Sequence, residues 1–212
     1  MGQLERLAAA ANINRAIDLK IKNLPPNIAE VTRQQNAKNL MSELDFVRED
    51  AKLTFAKLNE KKLTGMLGQL AYFRRVSKSA REHQVANCGE YAGYVFWKLY
   101  KSSTLPISYI AVDNVRTYQN HAFVLIGSAD KGEQDMSNWK GTDYVISDPW
   151  LPHLIRQVST APLGLNENAG AFTPETYIDL TKDWFKDGTK VKSLFGQATL
   201  LDQEVPKLTD KL

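Results

Sequence analysis

Apolar and polar positions along this chain recur with two different periods, and the change from one to the other falls near residue 105. Up to that point the beat is helical. Leu4, Leu7, Ala8 and Ala11, followed by Ile13, Ile17 and Ile21, predict a helix over residues 3–22. Asn23-Leu24-Pro25-Pro26 breaks it, and Pro26 suits the first turn of a following helix. Residues 27–80 contain no proline, and Ile28/Val31, Leu40/Met41/Leu44, Val47/Ala51 and Phe55/Leu58 keep the helical spacing, with Arg, Lys, Glu and Gln on the polar side. A break is expected near Asn59 or at Thr64-Gly65, then a further helix carrying Leu67, Leu70, Phe73 and Val76. The basic run over residues 74–78 reads as a solvated helix end. The next helix, residues 88–101, has Tyr91, Ala92, Val95, Phe96 and Leu99 on one side and barely polar residues on the other, so it is mostly buried. Gly89 and Gly93, four apart, would let another backbone come close to it.

Beyond residue 105 the pattern turns to strands. Residues 107–113 are β-prone, and residues 121–127, His-Ala-Phe-Val-Leu-Ile-Gly, form a short apolar run that reads as a central strand. Residues 128–143 are a polar, turn-rich loop, and residues 144–148 are another strand, stopped by Pro149. A short strand is expected at 154–158, loop at 160–173, a helical turn or two within 174–185, and a last strand within 191–201. The outline is α+β: a helical N-terminal part, then a buried helix packed on an antiparallel sheet. It divides into a helical region over 1–80 acting as a cap or as a substrate- or partner-binding part, a core over 81–201, and a loose tail over 202–212.

Composition narrows the function classes. The chain is 43% hydrophobic and 24% charged, ordinary for a globular protein. A net charge of +3, with no dense basic patch interleaved with aromatics, argues against nucleic acid as a partner. The single cysteine excludes an intramolecular disulfide and any multi-cysteine zinc site, and it fits a reducing compartment. Close Cys/His ligand spacing is missing, so neither a metal nor another cofactor is expected. No run of 18 apolar residues marks a transmembrane helix. The first eleven residues have too short an apolar run and too early an acid for a signal peptide, and Arg6 stands where a myristoylation motif wants Ser or Thr. Export without a cleavable signal stays open, as does residence in the cytoplasm. Oligomeric state is not indicated.

The chemistry centres on Val85-Ala86-Asn87-Cys88-Gly89-Glu90. Asn87 is a good N-cap, and Glu90 can reach back to its N–H as in a capping box. Cys88 then falls at the first helical position, where unpaired N–H groups and the macrodipole favour a thiolate. Gly89 leaves room for a substrate beside the sulfur. His121 opens an apolar strand and Asp148 closes the next; if the two strands pair antiparallel, both residues lie at one sheet edge. Cys88, His121 and Asp148 then make a nucleophile, a base and its orienter. His83 and His153 are rival bases, but neither begins an apolar strand. Asp113 and Asp143 are rival orienters, Asp113 the more serious. The Cys88 N–H is a natural oxyanion donor, and Gln84 and Asn87 are candidates for a second. A lone cysteine is also commonly a small core hydrophobe, and helical stripes like those of 27–80 serve non-catalytic partner-binding modules as well as enzymes.

Asn87-Cys88-Gly89-Glu90-x-Ala92, then His121-Ala122-Phe123, then Asp148-Pro149-Trp150, resembles the papain-like and transglutaminase-like cysteine enzymes, most closely their bacterial effector and toxin branch of thiol proteases and glutamine deamidases. The resemblance covers about residues 84–150. It implies a papain/transglutaminase-like core with Cys88, His121 and Asp148 as the triad. It also implies a hydrolase or transferase acting on a carboxamide of a protein or peptide, a host protein if the chain is a secreted virulence effector reaching a host cytosol. The order of preference is glutamine deamidase or transglutaminase-like hydrolase first, papain-like protease second, and a non-catalytic helical partner-binding module third. Two departures stand out: Gln84 lies only four residues before Cys88, and a tryptophan follows Asp148-Pro149 rather than the cysteine.

Overall fold

The computed structural model describes residues 2–23, 25–27, 37–60, 66–102, 106–114, 119–127, 144–158, 162–182 and 189–193. Among the described residues four helices come first: α1 (Gln3–Asp18), α2 (Ala37–Glu60), α3 (Met66–His83) and α4 (Cys88–Ser102). Then come β1 (Ile107–Asn114), β2 (Gln119–Ile126), β3 (Val145–Ser147), α5 (Leu151–Val158), α6 (Leu165–Asn168), β4 (Ala171–Phe172), α7 (Pro174–Thr181) and β5 (Thr189–Ser193). The strands form one antiparallel sheet in the order β4-β3-β2-β1-β5. The class is α+β, with the helices leading and the antiparallel sheet following.

The apolar run of β2 is explained by burial on both faces. Its Ala122, Val124 and Ile126 belong to a core cluster shared with Ile107, Val145 and Ala171 of the neighbouring strands, and with Leu7 of α1, Leu44 of α2, Phe73 of α3 and Tyr91 of α4. Its Phe123 and Leu125 belong to a second cluster with Ile110, Ile146 and Phe172, completed by Leu151 and Ile155 of α5 and Tyr177 of α7. The sheet is therefore a middle layer, with α1–α4 on one side and α5 and α7 on the other. The first cluster runs without interruption across residue 80. In α4, every residue from Tyr91 to Trp97 is buried. Its Gly93 admits a side chain, not another backbone: a β-carbon there would lie 2.9 Å from Cδ1 of Phe73.

α1 is tied to the sheet by a buried amide. Asn14 is 0% exposed, its Nδ2 donates to the Gly170 carbonyl at 2.9 Å, and its Oδ1 accepts from Ser147 Oγ at 2.8 Å. Both polar ends of the side chain are satisfied, as burial requires.

Three expectations from sequence are corrected. Residues 154–158 lie in a helix, α5, and not in a strand. Leu151 and Ile155 are spaced four apart, and Asp148 Oδ1 accepts the Leu151 N–H at 3.2 Å, which starts the turn. The stretch 160–173 is more than loop, since it holds α6 and the edge strand β4. Among the described residues the last strand is Thr189–Ser193, which begins before the expected 191–201 span; residues 194–201 lie outside the described residues. The expected 128–143 loop, the region from residue 28 to 36, the break at 61–65 and the tail at 202–212 lie outside the described residues.

Candidate active site

The N-terminus of α4 is capped as its sequence predicts. Glu90 Oε2 accepts the Asn87 N–H at 3.0 Å, and Tyr91 N–H donates to the Asn87 carbonyl at 2.9 Å, closing the first helical turn. Cys88 therefore stands at the first helical position, half-buried, with its N–H among those lacking an intrahelical acceptor. The capping carboxylate is itself held: Arg48 Nε of α2 donates to Glu90 Oε1 at 3.0 Å. The guanidinium is pulled down by burial but raised above its ordinary value by Glu90, with Asp45 and Cys88 adding to the same effect.

The β2–β3 register places Val124 opposite Ser147, so the start of β2 and the end of β3 meet at one edge. There His121 Nε2 and Asp148 Oδ2 are 2.6 Å apart, with 8% and 1% of the residues exposed. Asp148 is fully engaged. Tyr177 Oη donates to Oδ2 at 2.8 Å, Leu151 N–H takes Oδ1, and the Asp148 N–H donates to the Gly170 carbonyl at 2.7 Å. Burial works against a charged His121 ring, but Asp148, by charge and by hydrogen bond, and then Cys88 in the same two ways, push its pKa up to about 10. Asp148 occupies Nε2, which leaves one ring nitrogen open to another partner, and Cys88 is near enough to act on the ring. That nitrogen, Nδ1, is buried and has no closed hydrogen bond among the described residues. Asp148 and Cys88 thus both favour the protonated form of the imidazole.

The rivals are occupied elsewhere. His83 ends α3, bonds through Nδ1 to Glu43 and stacks on Phe46 at a centroid separation of 6.0 Å. His153 lies in α5, 3.8 Å from Asp18 and 6.1 Å from the Tyr91 ring centroid. Asp113 is paired through its backbone with Asn120, and its side chain and all of Asp143 lie outside the described residues. For the second oxyanion donor, Asn87 Oδ1 accepts the Asn27 N–H at 3.3 Å. Gln84 has φ +56° and is the left-handed residue that ends α3, where the Val85 N–H closes back on the Ala80 carbonyl at 3.2 Å. The Gln84 carbonyl accepts from the Asn23 N–H at 3.2 Å, and its side chain is half-buried.

Several contributors were not visible in the sequence. Trp150 lies against the imidazole, with centroids 4.9 Å apart, and donates through Nε1 to Asn27 Oδ1 at 3.0 Å. Asn27 thus links the residue after Asp148-Pro149 to the cap of the Cys88 helix. Tyr177 is raised well above the ordinary phenol value, by burial first and then by Asp148, so it stays a neutral donor to the carboxylate. Gly170, at φ +74°, is compelled: a β-carbon there would lie 2.5 Å from the Asp148 carbonyl oxygen and 2.6 Å from Pro149 Cα. A buried tyrosine in a short helix and a glycine in a loop carry no local signal of serving a carboxyl group 29 and 22 residues away.

Among the described residues no group of three or more His, Cys, Asp or Glu side chains is placed to hold a metal ion, and no helix is long and apolar enough to cross a membrane. What the arrangement offers is a thiol at a helix N-terminus, an imidazole whose protonated form is favoured by a buried acidic partner, and helix-start N–H groups for a developing negative oxygen. Compared with known proteins, the chain matches no protein-family model, no curated protein and no solved structure.

Proposed function

We propose that this chain is a cysteine-dependent acyl-transfer enzyme acting on a carboxamide of a protein substrate. The observation that carries the reading is the buried 2.6 Å contact of His121 with Asp148, on a ring that also feels the Cys88 side chain at the start of α4. In this reading the Cys88 proton resides on His121, and the sulfur attacks the carboxamide carbon. The C=O electron pair moves to oxygen, beside the Cys88 N–H. His121 then gives its proton to the departing nitrogen as the C–N bond breaks, leaving a thioester. Water, deprotonated by His121, releases the acid and restores the thiol. Asp148 keeps the ring in the orientation that serves both transfers.

A glutamine side chain as acyl donor makes the net reaction a deamidation; an amine in place of water makes it a transglutamination. The preference for a side-chain amide, for an effector-type role on host proteins, and for a papain- or transglutaminase-like core rests on the resemblance of the Cys88, His121 and Asp148 motifs. A peptide carbonyl in the same site would make the enzyme a protease. Mass spectrometry of protein mixtures incubated with the chain separates these outcomes: glutamine converted to glutamate supports deamidation, and new termini would replace it with proteolysis. Cys88→Ala and His121→Ala are expected to abolish either product. Product formation that persists in both variants refutes the reading.

A further inference from the structure

An acyl transfer at Cys88 needs more than one donor for the developing oxyanion, and the Cys88 N–H supplies only the first. Tyr109 of β1 brings a hydroxyl to the first turn of the Cys88 helix. Its hydroxyl is 3.8 Å from the point a β-carbon on Gly89 would occupy, beside the residue that follows the nucleophile. The phenol is held before any substrate arrives. Its ring stacks on Phe73, with centroids 4.8 Å apart and planes at 27°. Phe73 in turn is seated so closely on Gly93 of the same helix that a β-carbon there would lie 2.9 Å from it. Gly89 and Gly93 thus clear one face of α4: Phe73 fills the space at Gly93, and the Tyr109 hydroxyl faces the space at Gly89. Among the described residues no acceptor claims that hydroxyl, and the residue is half-buried rather than closed off. Burial first, then the negative charge of Cys88, of Glu90 and of Tyr72, all act to keep the phenol protonated, which leaves it a donor.

We propose that Tyr109 is the second oxyanion donor of the Cys88 site, a role that rests on the acyl-transfer reading above. As the sulfur bonds to the carbonyl carbon, the displaced electron pair settles on the carbonyl oxygen, and the Tyr109 O–H and the Cys88 N–H both donate to it. No proton leaves Tyr109. The pair returns to re-form C=O when the departing nitrogen takes the proton from His121.

The test compares two reactions of the full chain. Acylation by p-nitrophenyl acetate passes through a tetrahedral oxyanion; alkylation by iodoacetamide is a direct displacement with none. Tyr109→Phe keeps the ring and its stacking on Phe73. It is expected to lower the ratio of the acyl-burst rate to the alkylation rate by about 10²–10³-fold, the usual cost of one oxyanion donor. A ratio within about threefold of wild type, on the scale of one ordinary hydrogen bond, overturns the assignment. So does a comparable fall in Gln84→Ala with none in Tyr109→Phe, which would move the role to Gln84. If the wild-type chain gives no burst and Cys88 alkylates like a small-molecule thiol, the acyl-transfer reading fails and this proposal with it. A normal burst with an unchanged Tyr109→Phe ratio sinks only the proposal.

Discussion

Replacing Asp148 by asparagine keeps the shape of the side chain and removes its capacity to accept at both oxygens. Three donors converge there: His121 Nε2 at 2.6 Å and Tyr177 Oη at 2.8 Å on Oδ2, and the Leu151 N–H at 3.2 Å on Oδ1. An amide oxygen at the Oδ2 position turns the NH2 toward the Leu151 N–H; the reverse orientation turns it toward His121 and Tyr177. Either way a donor faces a buried donor, at about 1–3 kcal/mol, and the charge-assisted bond to the imidazolium is lost, at about 1.5–3 kcal/mol. The sum, about 2.5–6 kcal/mol, brackets the roughly 3–5 kcal/mol seen when one member of a buried ion pair is removed. For a chain of this size about 2–4 °C accompanies each kcal/mol, so a loss in that narrower range lowers Tm by about 6–20 °C.

The penalty also depends on pH, with a definite sign. His121 has its pKa raised in the folded protein to about 10. Its pairing with Asp148 therefore contributes fully below the unfolded value of about 6.5 and is lost as pH rises through the folded value. The stability gap between wild type and Asp148→Asn should be widest near pH ~6 and should narrow toward pH ~10. Urea unfolding followed by tryptophan fluorescence at those two pH values measures it. A loss below about 1 kcal/mol at the lower pH, less than one ordinary hydrogen bond, or a gap that widens as pH rises, refutes the ion-pair argument.

Two further changes probe the support around the site. Gly170→Ala should cost about 3 kcal/mol, from left-handed backbone strain and from a β-carbon driven into the Asp148–Pro149 backbone, and it should slow acyl transfer; a Tm within about 1 °C of wild type would contradict it. Arg48→Gln leaves the buried Glu90 carboxylate without its cation beside the Cys88 helix start. Because Arg48 is 41% exposed, solvent holds the stability loss to about 1 kcal/mol, while iodoacetamide labelling of Cys88 should slow at neutral pH; labelling as fast as wild type would detach the pair from the thiol.

Much of the site was legible locally. The Asn87–Glu90 cap is short-range chemistry, written within four residues, and it places Cys88 at its position in α4 without help from the rest of the chain. The two-period pattern likewise marked β1, β2 and β3, since the alternation of buried faces is a property of each strand. From those strands came the expectation that His121 and Asp148 share an edge. α5 was misread because Leu154, Ile155 and Val158 suit a strand as well as a helix over so short a span. The helix is started by Asp148 taking the Leu151 N–H three residues on, a local cap of the same kind as that of Asn87 and Glu90.

Sequence alone thus determined what depends on neighbours along the chain: the capped helix, the cysteine at its start, and the strand ends that carry the imidazole and the carboxyl group. Only the tertiary structure decided what converges on those groups from a distance. Tyr177 and Gly170 shape the Asp148 environment, Trp150 and Asn27 close over the imidazole, and Asn14 pins α1 beneath them. Hydrogen bonds between groups dozens of residues apart leave no local periodicity, because their geometry exists only once the sheet and helices have packed.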